Sequence, residues 1–75
     1  MATFKRITID PKIMAGRPCI RGLRVTVGMV IDLLNDDWSP AAIVQAYPHL
    51  NEADIREAVK YADWWRKEKR KVQKL

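Results

Sequence analysis

The sequence has one cysteine, Cys19, and one histidine, His49. A lone cysteine excludes an internal disulfide, and beside a single histidine it argues against a four-ligand zinc site. The three glycines, at 16, 22 and 28, fit neither the dinucleotide-binding nor the P-loop spacing, so no phosphate-cradling loop is present. No stretch reaches the ~18 consecutive apolar residues of a membrane span, and no N-terminal signal peptide is visible. A cytoplasmic protein without cofactor or metal is expected. Catalysis is not expected either, because Cys19 and His49 are the sole nucleophile–base candidates and nothing in the sequence orients them. The arginines around Cys19 would lower its pKa and give it mild thiol reactivity, whereas a buried, inert thiol is the simpler expectation.

What is present is a short, basic chain. A domain of 75 residues buries only about 60% of its unfolded surface, so association is expected to supply missing burial, as in a homodimer. The net charge is +5 and the pI about 9.7, but the charge is unevenly spread. Asp32, Asp36, Asp37, Glu52, Asp54 and Glu57 crowd the middle, with Asp63 just beyond, against Arg56 alone before Lys60. The basic excess lies from Lys5 to Arg24 and from Arg66 to Lys74. That asymmetry points to an anionic partner, nucleic acid first, with a merely solvated lysine-rich tail as the plain alternative for the C-terminal run.

Phe4 to Ile9 is rich in β-branched residues, with Ile7 and Ile9 on one face, and reads as a short strand stopped by the turn pair Asp10-Pro11. Ile13-Met14 offers a second short apolar run. The strand needs a partner, either Ile20 to Val25 or the same strand of another chain. Between Gly16 and Val25, Pro18 and Gly22 rule out helix, so Arg17, Arg21 and Arg24 project from a turn-rich loop. Each offers a planar donor fork suited to phosphate, or to the chain's own carboxylates such as Asp10 and Asp32.

Three helices follow. Thr26 caps the first, from Val27 to Asn35 or Asp36, whose only weakly apolar positions are near 28, 32 and 35; Gly28 would admit a neighbouring backbone. Ser39 and Pro40 start the second, which runs to about Tyr47 and buries Ile43, Val44 and Tyr47. Asn51 caps the third, with Leu50 as a hydrophobic staple and Glu52 and Asp54 complementing the dipole. Its apolar face is read as Ile55, Ala58, Val59, Ala62 and Trp65. With no glycine or proline after Pro48, a helix from Glu52 to the end would be about 35 Å long and overhang its neighbours. Trp65, Val72 and Leu75 continue the apolar seam, and Trp64 points elsewhere.

The line Asp10-Pro-Lys-Ile-Met-Ala-Gly16-Arg-Pro18-Cys-Ile20-Arg-Gly22-Leu-Arg24-Val25, followed by Ser39-Pro-Ala-Ala-Ile43, Tyr47-Pro-His-Leu50 and Asp54-Ile55, resembles the domain of unknown function 433 family. The resemblance covers roughly residues 7 to 63. Where that family commonly has Gly-Thr-Arg, this chain has Gly22-Leu23-Arg24, so no threonine role carries over. The resemblance implies a mainly α, homeodomain-like helix-turn-helix preceded by one or two short strands. It also implies an antitoxin of a type II toxin–antitoxin pair, which neutralises a PIN-like ribonuclease and binds promoter DNA as a dimer.

The chain is therefore expected to be one domain, with a strand/loop arm over residues 1–25, a helical core over 26–63 and an overhanging basic helix end over 64–75. In a helix-turn-helix the third helix would meet DNA, yet Glu52, Asp54 and Glu57 would repel phosphate. DNA contact is assigned instead to Arg17, Arg21 and Arg24, with Lys5 and Arg6. The alternative function is a protein-interaction module that does not bind DNA. Partner contact is assigned to Trp64, Trp65, Arg66, Arg70, Val72 and Leu75, where a cationic segment would complement a carboxylate-rich nuclease site.

Overall fold

The computed structural model describes residues 4–73, with side-chain surroundings given through Glu68. Two short strands and three helices follow one another: β1 (Ile7–Thr8), β2 (Cys19–Ile20), α1 (Val27–Asn35), α2 (Pro40–Ala46) and α3 (Glu52–Gln73). The fold is mainly α, with a two-stranded antiparallel sheet at its N-terminal side.

β1 pairs with β2 of the same chain, Ile7 opposite Ile20 and Thr8 opposite Cys19, so the first of the two expected partners is the one used. A bridge between Cys19 and Thr26 ties the sheet to the start of α1. Ile7 packs against the core, but Ile9 lies beyond the pairing and is 62% exposed. Ile13-Met14 forms no strand. A short turn covers Met14–Gly16, with Met14, Ala15 and Gly16 all at positive φ.

Each helix starts where its cap residue dictates. Thr26 Oγ1 accepts the Met29 N–H at 3.0 Å, and Ser39 Oγ accepts the Ala42 N–H at 3.1 Å. At α3 the capping is reciprocal: Asn51 Oδ1 accepts the Asp54 N–H at 2.9 Å while Asp54 Oδ2 accepts the Asn51 N–H at 3.0 Å. This is a capping box with Asp in the place usually held by Glu or Gln.

The core joins Ile20, Val27, Val30, Ile43, Leu50, Ile55, Ala58 and Tyr61. On α1 only Gly28, Asp32 and Asn35 are exposed, as the spacing predicts. No backbone crowds Gly28, however, since an added Cβ would meet only Thr26 Oγ1 at 3.9 Å. On α2, Ile43 is buried whereas Val44 and Tyr47 are half-buried, and the helix stops at Ala46.

The expected apolar face of α3 is corrected at two positions. Val59 is 43% exposed and Trp65 is 51% exposed. Tyr61 is buried instead, and Trp64 packs on it at a ring separation of 5.7 Å. The reason is Phe4, whose ring meets Tyr61 at 5.2 Å and Trp64 at 5.7 Å. The N-terminal segment lies along α3 and rotates the buried stripe towards itself. Trp65 shares the helical side of Ala58 and Tyr61, at spacings of seven and four, but α1 and α2 are too short to reach it. Arg70 and Val72 have described backbone but no described side-chain surroundings, and Leu75 lies outside the described residues. No helix among the described residues is long and apolar enough to cross a membrane.

Candidate functional site

The most organised polar constellation surrounds Asp54, in the first turn of α3. Its side chain is fully buried, yet it carries a charge that the fold answers from two distant segments. Arg21 Nε donates to Oδ1 at 3.1 Å and to Oδ2 at 3.3 Å, and Arg21 Nη2 donates to Oδ2 at 3.0 Å. Arg6 Nη1 donates to Oδ1 at 3.1 Å. Burial pushes the Asp54 carboxyl up, but hydrogen bonds from Arg21 and the Asn51 N–H, the Arg21 charge and the Arg6 hydrogen bond together outweigh it. The carboxyl is held below its ordinary value.

Two further contacts tighten the clamp. Arg21 Nη2 also donates to the His49 carbonyl, in the turn that leads into α3. The Arg6 N–H donates to the Glu57 carboxylate, one turn further along the helix. Arg21 reaches this position from a tight turn in which it and Gly22 both have positive φ, at 45° and 72°, and the Leu23 N–H donates to the Ile20 carbonyl at 2.8 Å. That is the pattern of a type I′ turn, which usually places Asn, Asp or Gly where Arg21 sits; here it opens a four-residue loop closed by the Ile20 N–H on the Val25 carbonyl at 2.9 Å. The unfavourable backbone of about 1 kcal/mol is offset by the bidentate pair with Asp54.

This geometry divides the five cations expected to meet DNA. Arg6 and Arg21 are bound to Asp54 and keep side-chain exposures of 38% and 40%. Their carboxylate partner is Asp54, not Asp10 or Asp32; the Asp10 side chain accepts the Lys12 N–H at 2.9 Å. Lys5, Arg17 and Arg24 are exposed and have no ion pair among the described residues. The structure therefore brings together two of the five and leaves three at the surface.

The acidity of α3 also changes meaning. Asp54 points inward between two arginines and Glu57 is half-buried on the Arg6 N–H, so of the three carboxylates only Glu52 stands exposed. The outer face of α3 presents Arg56, Val59 and Lys60.

The partner-binding set divides too. Trp64 belongs to the Phe4–Tyr61 cluster, whereas Trp65 is the exposed tryptophan of the pair, its ring 6.4 Å from that of Trp64. Arg66 and Lys67 both bridge to Asp63 at 3.4 Å, and all three side chains are well exposed. Arg70, Val72 and Leu75 have no described side-chain surroundings.

Cys19 is 1% exposed and its thiol donates to the Arg17 carbonyl at 3.2 Å. Burial raises its pKa, in line with the buried, inert thiol expected and not with the lowering that neighbouring arginines would give; Arg17 and Arg24 are exposed and Arg21 is paired with Asp54. No group of three or more His, Cys, Asp or Glu among the described residues is gathered as a metal site would need.

The sequence profile of the DUF433 family, a protein of unknown function, matches residues 7–62. The chain belongs to the DUF433 family. No curated protein and no solved structure matches it. The matched span takes in the β1–β2 sheet, the Arg21 turn, the three cap residues and Asp54, and stops before Trp64. In this DUF433 chain the Asp54 clamp thus lies within the family segment, while the overhanging end of α3 lies outside it. Sequence reading missed Asp54 as the centre of the site. The available signal was the Asn51-x-x-Asp54 spacing, which marks a capping box and so an inward-facing carboxylate.

Proposed function

We propose that this DUF433 chain is an antitoxin of a type II pair, a homodimer that neutralises a PIN-like ribonuclease through the end of α3 and contacts promoter DNA through Lys5, Arg17 and Arg24. The observation that carries the reading is the pair Trp64–Trp65. Trp64 already closes the aromatic cluster; Trp65 adjoins Trp64 at a ring separation of 6.4 Å, yet 51% of it stands in water on a helix that outruns its supports. Exposed aromatics of this size are enriched at protein interfaces. Arg66 and Lys67 beside it suit a nuclease whose metal site is lined by carboxylates. The alternative, a protein-interaction module without DNA binding, is favoured by the withdrawal of Arg6 and Arg21 into the Asp54 clamp.

Co-expression with a PIN-like ribonuclease encoded beside this chain tests the reading. The full chain should restore growth, and Trp65→Ala or removal of residues 67–75 should weaken that rescue at least about tenfold in co-purified complex. The cut must fall after Trp64, because Trp64 is part of the packed cluster. Undiminished neutralisation by both variants would sink the assignment.

A further inference from the structure

Between the end of α1, the start of α2 and the outer face of α3 lies an open hollow of about 330 Å³, lined by Leu34, Pro40, Ile55, Arg56, Val59 and Lys60. Its floor is almost wholly carbon, and Val59 within it is 43% exposed. Arg56 and Lys60 stand four residues apart on one helix face and rim the hollow. Both are exposed, and neither has an ion-pair partner among the described residues.

The chain also carries a feature of the opposite sign. The α1–α2 corner, Asp36-Asp37-Trp38, is exposed throughout, with Trp38 at 37%, and its two carboxylates have no ion pair among the described residues. The corner is held in shape by its backbone: the Asp36, Asp37 and Trp38 N–H groups donate to the carbonyls of Asp32, Leu34 and Leu33 at 3.0, 3.2 and 3.1 Å. Asp37 sits at φ 68°, which a short polar residue tolerates.

We propose that a second copy of this chain fills the hollow. Trp38 of one protomer seats on the apolar floor of the other, and its Asp36 and Asp37 face the partner's Arg56 and Lys60. Leu34 and Pro40, which line the hollow, bracket the corner in sequence, so knob and socket lie side by side on one surface. A twofold interface requires that layout, since the same patch must meet itself. Trp38 is 37% exposed, so seating it removes that remaining part of its surface, and the floor beneath it, from water at each of the two equivalent contacts. Duplex DNA suits the rim but not the floor, because phosphate would lie against carbon without a donor. The contact supplies a face for the homodimer of the reading above, and rests on that reading only in requiring two copies. If the dimer forms elsewhere this proposal fails and that reading does not.

Sedimentation equilibrium of the full chain tests it, with Trp38→Ala, Asp36→Lys, Lys60→Glu and the combined Asp36→Lys, Lys60→Glu variant. Wild type should be dimeric, and each single change should weaken the dimer at least about tenfold. The combined variant should recover part of that loss, because the exchanged charges again oppose each other. Asp36 and Lys60 are exposed, so their variants carry the test even if Trp38→Ala disturbs folding; circular dichroism melts check this. A monomeric wild type, a dimer indifferent to the single changes, or no recovery in the combined variant would overturn the proposal. So would single changes that weaken DNA or toxin binding and leave the dimer intact.

Discussion

Asp54 concentrates three duties in one carboxylate. It caps α3, it pairs with Arg21, and it pairs with Arg6, so its charge is answered by groups 33 and 48 residues away. The sign of the pH effect follows from its lowered pKa. Above the ordinary value of 3.8 the carboxylate is ionised in both folded and unfolded chains, and its stabilisation is fully present. As pH falls below that value the unfolded chain takes up a proton first, and the contribution is lost as pH passes through the lower folded value. Urea denaturation followed from neutral to acid pH should show this loss in wild type and a flatter profile in Asp54→Asn. At neutral pH the same variant should be less stable by about 2 kcal/mol, a figure kept at the low end because both arginines are partly solvated. A profile equally steep in both proteins would show that Asp54 does not dominate the acid limb. Little of this site was legible from residue types, since a carboxylate near a helix start normally faces solvent and serves the dipole. Only the spacing to Asn51 hints otherwise, and nothing local says that Arg6 and Arg21 converge on it.

The elements themselves were largely legible, because their signals are local. Thr26, Ser39 and Asn51 each sit one residue before a helix and use a side chain to satisfy a backbone donor. The exposed positions of α1 follow from helical periodicity alone. The face of α3 was less legible, since it depends on Phe4, far away in sequence, which turns Tyr61 and Trp64 inward and leaves Val59 and Trp65 out. Adjacent tryptophans look alike to any periodic template when the covering segment is unknown. They are expected to differ sharply in thermal or chemical melts: Trp64→Ala should cost about 2–3 kcal/mol as a half-buried aromatic, and Trp65→Ala should stay within about 0.5 kcal/mol. Equal losses would mean that the overhanging turn packs on the domain after all.

At the scale of the whole molecule, the net charge of +5 is not the charge a polyanion would meet. Two arginines are spent internally on Asp54, and Arg66 and Lys67 share Asp63. Of the five cations assigned to DNA, Lys5, Arg17 and Arg24 remain without an ion pair among the described residues. If they hold DNA phosphates, replacing all three by Ala should reduce the salt slope of duplex binding by up to about 3, at roughly 0.9 per phosphate. An unchanged slope in a filter-binding or anisotropy titration removes them as contacts, and no binding even at low salt leaves the interaction-module reading.

The attachment of the arm to α3 also sets an order of events during synthesis. Phe4 and Arg6 leave the ribosome well before the groups that hold them, Asp54, Tyr61 and Trp64. The β1–β2 pair can form early, being local, while its anchorage waits for α3. Until then Arg6 and Arg21 are as uncommitted as Arg17 and Arg24. The arm is therefore more cationic before α3 is made than in the finished fold, and completing α3 is the step that withdraws that charge.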